Sequence, residues 1–161
     1  MKRSEMREQA FLLTFEGLFS SGKDIDEVIE LYSENVEAVS KYAKDIFTGV
    51  KANKDEFNET INKYSKSWKV TRLPKVTVAI LYVALYEMKN VEDVADSIAI
   101  NEAVELAKKY GNDDDFSFVN GVLGAYVRRK DSSEQAGVEE KDITNHGNAE
   151  AEKVLDAPAE A

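Results

Sequence analysis

Residues 98–111, I-A-I-N-E-A-V-E-L-A-K-K-Y-G, and residues 116–126, F-S-F-V-N-G-V-L-G-A-Y, decide how this chain is read. In the first run Ala99, Ala103, Leu106, Ala107 and Tyr110 recur at helical spacing and form one apolar face. Glu102, Glu105 and Lys109 fall opposite, and Glu105 precedes Lys109 in the favourable i,i+4 order. Gly111 is expected to stop the helix in a left-handed conformation. Asn112 or Asp113 is expected to cap a second helix, whose positive end suits Asp114 and Asp115. Val119, Val122, Leu123 and Tyr126 make its buried face. Gly121 and Gly124 sit inside it at a cost of about 1 kcal/mol each relative to Ala, which suggests that another backbone approaches closely there.

The rest of the chain reads as helices on either side of this pair. A basic arm, Met1–Ser4, leads into a helix over about Glu5–Phe19, with Met6, Ala10, Leu13, Gly17 and Leu18 inward. Lys2, Arg3 and Arg7 crowd its start, where cations oppose the helix dipole, so a ligand role competes with an ordinary solvated terminus. Asp24 and Glu27 form a capping-box pattern for a helix to about Glu34. Another helix is expected over Glu37–Ala52, and a further one, capped by Asn53, carries Phe57, Ile61 and Tyr64. Trp68 falls in a turn, and Thr71 is expected to cap the helix whose first turn holds Pro74. Val76–Tyr86 is rich in β-branched residues and could pass for a buried strand. No other segment reads as a partner strand, so it is read as a helix buried on most sides. The count is seven helices in an all-α fold.

Composition bounds the function. The chain has 161 residues, enough for one domain with a real core, and no cysteine for disulfides or thiolate metal sites. No apolar run approaches bilayer length and no signal region opens the chain, so a cytoplasmic location is expected. The net charge of −10 argues at first against nucleic acid. Residues 131–161, however, hold nine acids and two bases, which leaves the body at only −3. The chain therefore divides into a helical domain, 1–130, and an acidic tail, 131–161, read as disordered with a short transient helix near Ala149–Leu155.

Several apparent motifs dissolve on inspection. Gly17 to Asp24 nearly matches a phosphate loop, but Asp24 stands where a hydroxyl should hold magnesium, and a helix precedes it instead of a strand. Asn112–Asp115 lacks the twelve-residue calcium-loop pattern. The sole histidine, His146, lies far from any triad partner. Asn101 and Asn120 read as caps or as buried hydrogen bonds between helices. No enzyme chemistry, metal or cofactor is indicated.

Three pieces in order resemble the NusB family of bacterial antitermination factors. They are M-K-R…R-E-Q-A at the start, W-K-V-T-R-L…A-I-L-Y-V-A-L-Y-E-M, and A-I-N-E-A-V-E-L-A-K-K-Y-G with F-V-N-G-V-L. The resemblance covers about residues 1–130. It implies seven helices in two packed bundles. It implies binding of the boxA element of ribosomal-operon RNA together with NusE, a small-subunit ribosomal protein, in a complex with NusA, NusG and RNA polymerase. It implies phosphate contacts from Lys2, Arg3 and Arg7, RNA contacts near Asp114 and Phe118, and a NusE surface near Phe15. Ser4 and Glu5 depart from a more basic pattern, and Thr77 and Tyr82 replace commonly charged residues near the expected partner surface. Self-association as a homodimer is a further expectation of the family. The competing readings are a helical protein–protein adaptor with little RNA binding of its own, and a stand-alone relative of the NusB-like domain of ribosomal RNA methyltransferases.

Overall fold

The computed structural model of the protein describes residues 1–20 and 22–139. Seven helices follow one another: α1 (Arg3–Phe19), α2 (Ile25–Asn35), α3 (Lys41–Ala52), α4 (Lys54–Tyr64), α5 (Lys75–Asn90), α6 (Asp96–Tyr110) and α7 (Asp115–Glu139). No strand occurs among the described residues. Helices α1–α3 pack on one another, and α4, α6 and α7 gather on α5. Helix α5 also touches α1 and α3, so it belongs to both bundles.

That position explains the ambiguous segment. Val78 through Leu85 are all buried, as are Thr77, Glu87 and Met88. A helix surrounded on every side loses the polar stripe by which helices are recognised, and its sequence approaches that of an interior strand. Each large apolar side chain it hides contributes about 1.5–3 kcal/mol. The shell is completed by Phe11 and Leu13 of α1, Ile46 of α3, Phe57 and Ile61 of α4, and Leu123 of α7.

The structure corrects several boundaries and pairings. Helix α3 starts at Lys41 rather than Glu37, because the Ser40 hydroxyl accepts from the Ala43 N–H and fixes the first turn there. Thr71 lies in a short 3-10 turn, Val70–Arg72, and Pro74 takes the N-cap position of α5 in its place. Gly111 ends α6 in extended backbone, φ −97° and ψ −171°, and not in a left-handed cap. Lys109 turns away from Glu105 and bonds both oxygens of Glu8 on α1, at 2.8 and 3.0 Å, while Glu105 faces Lys108. Helix α7 runs on to Glu139, past the boundary at 130 read from composition. The remainder of the acidic tail, with His146 and the helix expected near Ala149–Leu155, lies outside the described residues.

The glycines also change places. Nothing stands within 4 Å of a Cβ built at Gly121, and Gly124 meets only the Arg128 side chain, so no backbone approaches either. The close approach is at Gly49, where an added Cβ would fall 2.0 Å from Cε2 of Tyr86. Two substitutions separate these cases by urea denaturation. Gly121→Ala is expected to stabilise the fold by about 0.5–1 kcal/mol through helix propensity. Gly49→Ala is expected to destabilise it by about 1–3 kcal/mol through overpacking. Equal effects at the two positions would contradict the packing described.

Candidate nucleic-acid interface

The basic arm begins at Lys2, which is exposed and stands at the N-cap of α1. Its backbone N–H donates to the Glu5 carboxylate at 3.2 Å, so Glu5 closes the first turn in the manner of a capping box. Arg3 lies half outside. Its guanidinium sits 3.2 Å from Asp93 in the α5–α6 connection and 4.3 Å from the centre of the Tyr42 ring. The hydrogen bond to Asp93 raises the Arg3 pKa.

Arg7 is placed differently from the sequence expectation of a phosphate contact. Its side chain is 3% exposed, and its Nε donates to both oxygens of Glu87, which is fully buried, at 2.8 and 2.9 Å. Glu102 of α6 lies 3.5 Å from the other side of the guanidinium. The Tyr42 hydroxyl also donates to Glu87. Burial pushes the Arg7 guanidinium down, but the Glu87 hydrogen bond and the carboxylates of Glu87 and Glu102 more than reverse it. Burial and the bond to Glu87 push the Tyr42 phenol well up, so it remains a donor. Arg7 thus joins α1 to α5 and α6 from inside, and Lys2 and Arg3 are left as the arm's outward cations.

A second feature lies where the α4–α5 connection and the start of α5 meet the start of α7. An open cleft of roughly 360 Å³ is lined by Trp68, Arg72, Pro74, Thr77, Asp114 and Phe118 among others. Trp68 is 55% exposed. Asp114 is exposed and Phe118 partly so, while the Asp115 carboxylate accepts from the Asn112 N–H at 2.7 Å. Thr77 is 1% exposed and its hydroxyl has no hydrogen-bond partner. Beside Thr77 on α5, the Lys75 ammonium lies 5.9 Å from the Phe19 ring, which is 59% exposed. Phe15, partly buried, links Phe19 to Phe11 through ring contacts of 5.0 and 6.2 Å.

The structure therefore divides the expected RNA residues. Lys2 and Arg3 stand at the start of α1, while Asp114 and Phe118 share a cleft with Thr77 at the start of α5, and Phe15 and Phe19 form an aromatic run toward the end of α1. Tyr82 is not at a surface: it is 2% exposed, its ring packs near Phe57, and its hydroxyl donates to Asn58. Burial raises its pKa. Asn101 and Asn120, expected to cap or to bond between helices, are exposed instead. Sequence reasoning missed Arg72 and Phe19 and placed Trp68 only in a turn. An unpaired tryptophan flanked by Lys66, Lys69 and Arg72 was the available signal.

The discounted motifs take structural roles. Gly17 lies within α1, and the Asp24 carboxylate accepts from the Glu27 N–H at 2.9 Å to cap α2, so both ends of the apparent phosphate loop serve helices. Among the described residues, no three His, Cys, Asp or Glu side chains are grouped to hold a metal ion.

The sequence profile described as the NusB family matches residues 4–128. The transcription antitermination protein NusB of Acetivibrio thermocellus is 44% identical over 111 residues, 69% of this chain and 76% of that protein. The protein of the same description from Clostridium novyi is 35% identical over 133 residues, 80% of this chain and 99% of that one. Among solved structures, NusB of T. maritima superposes with a TM-score of 0.68 at 30% identity, covering 77% of this chain and 89% of that one. A chain in the crystal structure of a plectonemic RNA supercoil superposes with a TM-score of 0.71 at 26% identity, covering 81% and 97%.

The inward position of Arg7 has a measurable consequence. Arg7→Ala leaves the Glu87 carboxylate buried without its cation and is expected to lower stability by about 3–5 kcal/mol in urea. Arg7→Met combined with Glu87→Leu is expected to recover most of that loss. A cost below about 1 kcal/mol for Arg7→Ala would place the side chain at the surface instead.

Proposed function

Because this chain belongs to the NusB family, we propose that it acts as a transcription antitermination factor that binds boxA RNA together with NusE. The observation that carries the reading is the family match over residues 4–128, which spans α1 from Ser4 onward and the cleft. The geometry supports a division of labour within this reading. Lys2 and Arg3 supply phosphate contacts, which hold RNA without reading its sequence. The cleft supplies the exposed Trp68 ring and the partly buried Phe118 ring, with Asp114 and Arg72 beside them, for unstacked bases or for the protein partner. Phe15, Phe19 and Lys75 extend the same end of the molecule as a NusE surface, with Thr77 on its inner wall. Arg7 and Tyr82 act from within, by holding α1 and α4 against α5.

NusA, NusG and RNA polymerase are the wider partners on this reading, and the cytoplasm is where they are met. Among the described residues no helix is long and apolar enough to cross a membrane. The adaptor reading, with little RNA binding by this chain alone, has one specific observation in its favour. Arg3 is already engaged by Asp93 and Tyr42, and Arg7 is internal, so among the described residues Lys2 is the outward cation of the arm that forms no ion pair.

The test is a boxA binding isotherm with and without NusE across a salt series. Tighter binding with NusE is expected, and Arg3→Ala is expected to flatten the log–log salt slope by about 0.7. Asp93→Asn frees Arg3 from an exposed pair and is expected to tighten RNA binding by about two- to fivefold. No boxA binding in the presence of NusE would overturn the antitermination reading. Intact NusE binding with indifference to RNA would leave the adaptor.

A further inference from the structure

The connection between α4 and α5 carries a run of positive charge that the fold itself does not use. Lys63, Lys66, Lys69, Arg72 and Lys75 recur at every third residue, and no acid occurs from Thr60 to Tyr86. All five are exposed, and none forms an ion pair among the described residues. Lys63 lies against the Tyr64 ring and Lys75 against the Phe19 ring; Lys66, Lys69 and Arg72 have no such contact among the described residues. The surrounding acids are Glu59, one turn before Lys63 on α4, and Asp114 and Asp115 on the facing wall of the cleft. Trp68 stands in the middle of the run. Its ring is exposed and makes no stacking or cation–π contact among the described residues. The backbone beneath it is nonetheless fixed. The Trp68 N–H donates to Ser65 Oγ at 3.3 Å, the Ser65 hydroxyl donates to the Trp68 carbonyl, and the Val70 N–H donates to Asn62 at 2.8 Å.

The local geometry sorts these groups. A 3-10 turn has three residues per turn, so Lys69 and Arg72, at the start and end of the turn Val70–Arg72, share one edge of it. Trp68 immediately precedes that edge, and Arg72 lines the cleft with it. Cations without partners call for anions, and an exposed ring on a fixed backbone calls for a flat face to lie on it. Single-stranded nucleic acid supplies both at every nucleotide, a phosphate and a base with a π face. An acidic peptide supplies the charge without a regular series of planes. We infer that the α4–α5 connection is a contact for single-stranded RNA, in which Trp68 stacks a base while Lys66, Lys69 and Arg72 hold the flanking phosphates whatever the sequence. This contact rests on the RNA-binding reading of the chain, but it needs neither the boxA sequence nor NusE. It assigns the Trp68 side of the cleft to RNA and not to a protein partner.

Trp68 is the sole tryptophan, so its fluorescence reports on this contact alone. The full chain, without NusE, is titrated at low salt with an oligouridylate of about twelve nucleotides. Variants are compared by the anisotropy of the same RNA carrying fluorescein. Saturable quenching of Trp68 is expected. Trp68→Ala is expected to weaken binding about tenfold, and Trp68→Phe, which keeps a ring, by less than about threefold. Lys66→Ala with Lys69→Ala is expected to flatten the log–log salt slope by about 1.4. The same charge change at Lys44 and Lys54, exposed on α3 and α4, is expected to leave affinity and slope unchanged. The absence of quenching would overturn the inference. So would equal losses from the two lysine pairs, or polyglutamate displacing the RNA as well as unlabelled oligouridylate does, which would point to an acidic protein partner. Loss of oligouridylate binding alongside intact boxA binding with NusE would overturn this contact alone and leave the antitermination reading standing.

Discussion

Much of the molecule depends on one pair of charges kept out of water. The Arg7 guanidinium and the Glu87 carboxylate meet inside the domain, and Tyr42 and Glu102 close the remaining sides. Removing either partner leaves a buried charge without compensation, which is far more costly than the pair itself is stabilising. The pair therefore works as a constraint: α1 has one rotation and one depth against α5 at which both charges are satisfied. That rotation sets Lys2 and Arg3 at the surface beside Asp93, and sends Phe15 and Phe19 to the far end. Tyr42 extends the constraint to α3, since it donates to Glu87 while its ring lies under the Arg3 guanidinium. The outward arm and the internal pair are thus two layers of one arrangement.

Helix α5 is the second element on which position depends. Its apolar middle fills the centre of the domain, while its two ends meet the arm and the cleft. Glu87, one turn from its C-terminal end, receives Arg7. Pro74, Lys75 and Thr77 at its start border the aromatic cleft and the exposed Phe19 ring. A rigid, buried rod between two surface features fixes their separation, which suits recognition of an extended strand together with a protein partner.

The helical class, the seven elements and the central place of Val76–Tyr86 were legible in sequence, because apolar periodicity reports burial directly. Charged and polar positions were read less well, for a physical reason. Lys2, Arg3 and Arg7 look alike as a basic cluster, and nothing local says that Arg7 turns inward to a carboxylate 80 residues away. The family resemblance puts Tyr82 near a partner surface, where it replaces a commonly charged residue, yet Asn58 satisfies its hydroxyl in the interior. Gly121 suggested a close contact that belongs to Gly49, since a glycine in a helix signals missing bulk but not which neighbour requires it. Asn101 and Asn120, in the most family-like stretch of the chain, prove to be exposed, so their presence there has no packing cause. The cleft at Trp68 and Phe118 joins a connection and a helix start 50 residues apart in sequence, a juxtaposition created by the packing of α4 and α5 against α7.

The most direct test of this account is photocrosslinking of 4-thiouridine-substituted boxA RNA to the chain in complex with NusE, with the joined peptides mapped by mass spectrometry. The account predicts crosslinks to the arm, within residues 1–5, and to the cleft, at Trp68 or within residues 112–118. Crosslinks confined to α2 and α3, or none to this chain while NusE is labelled, would contradict it.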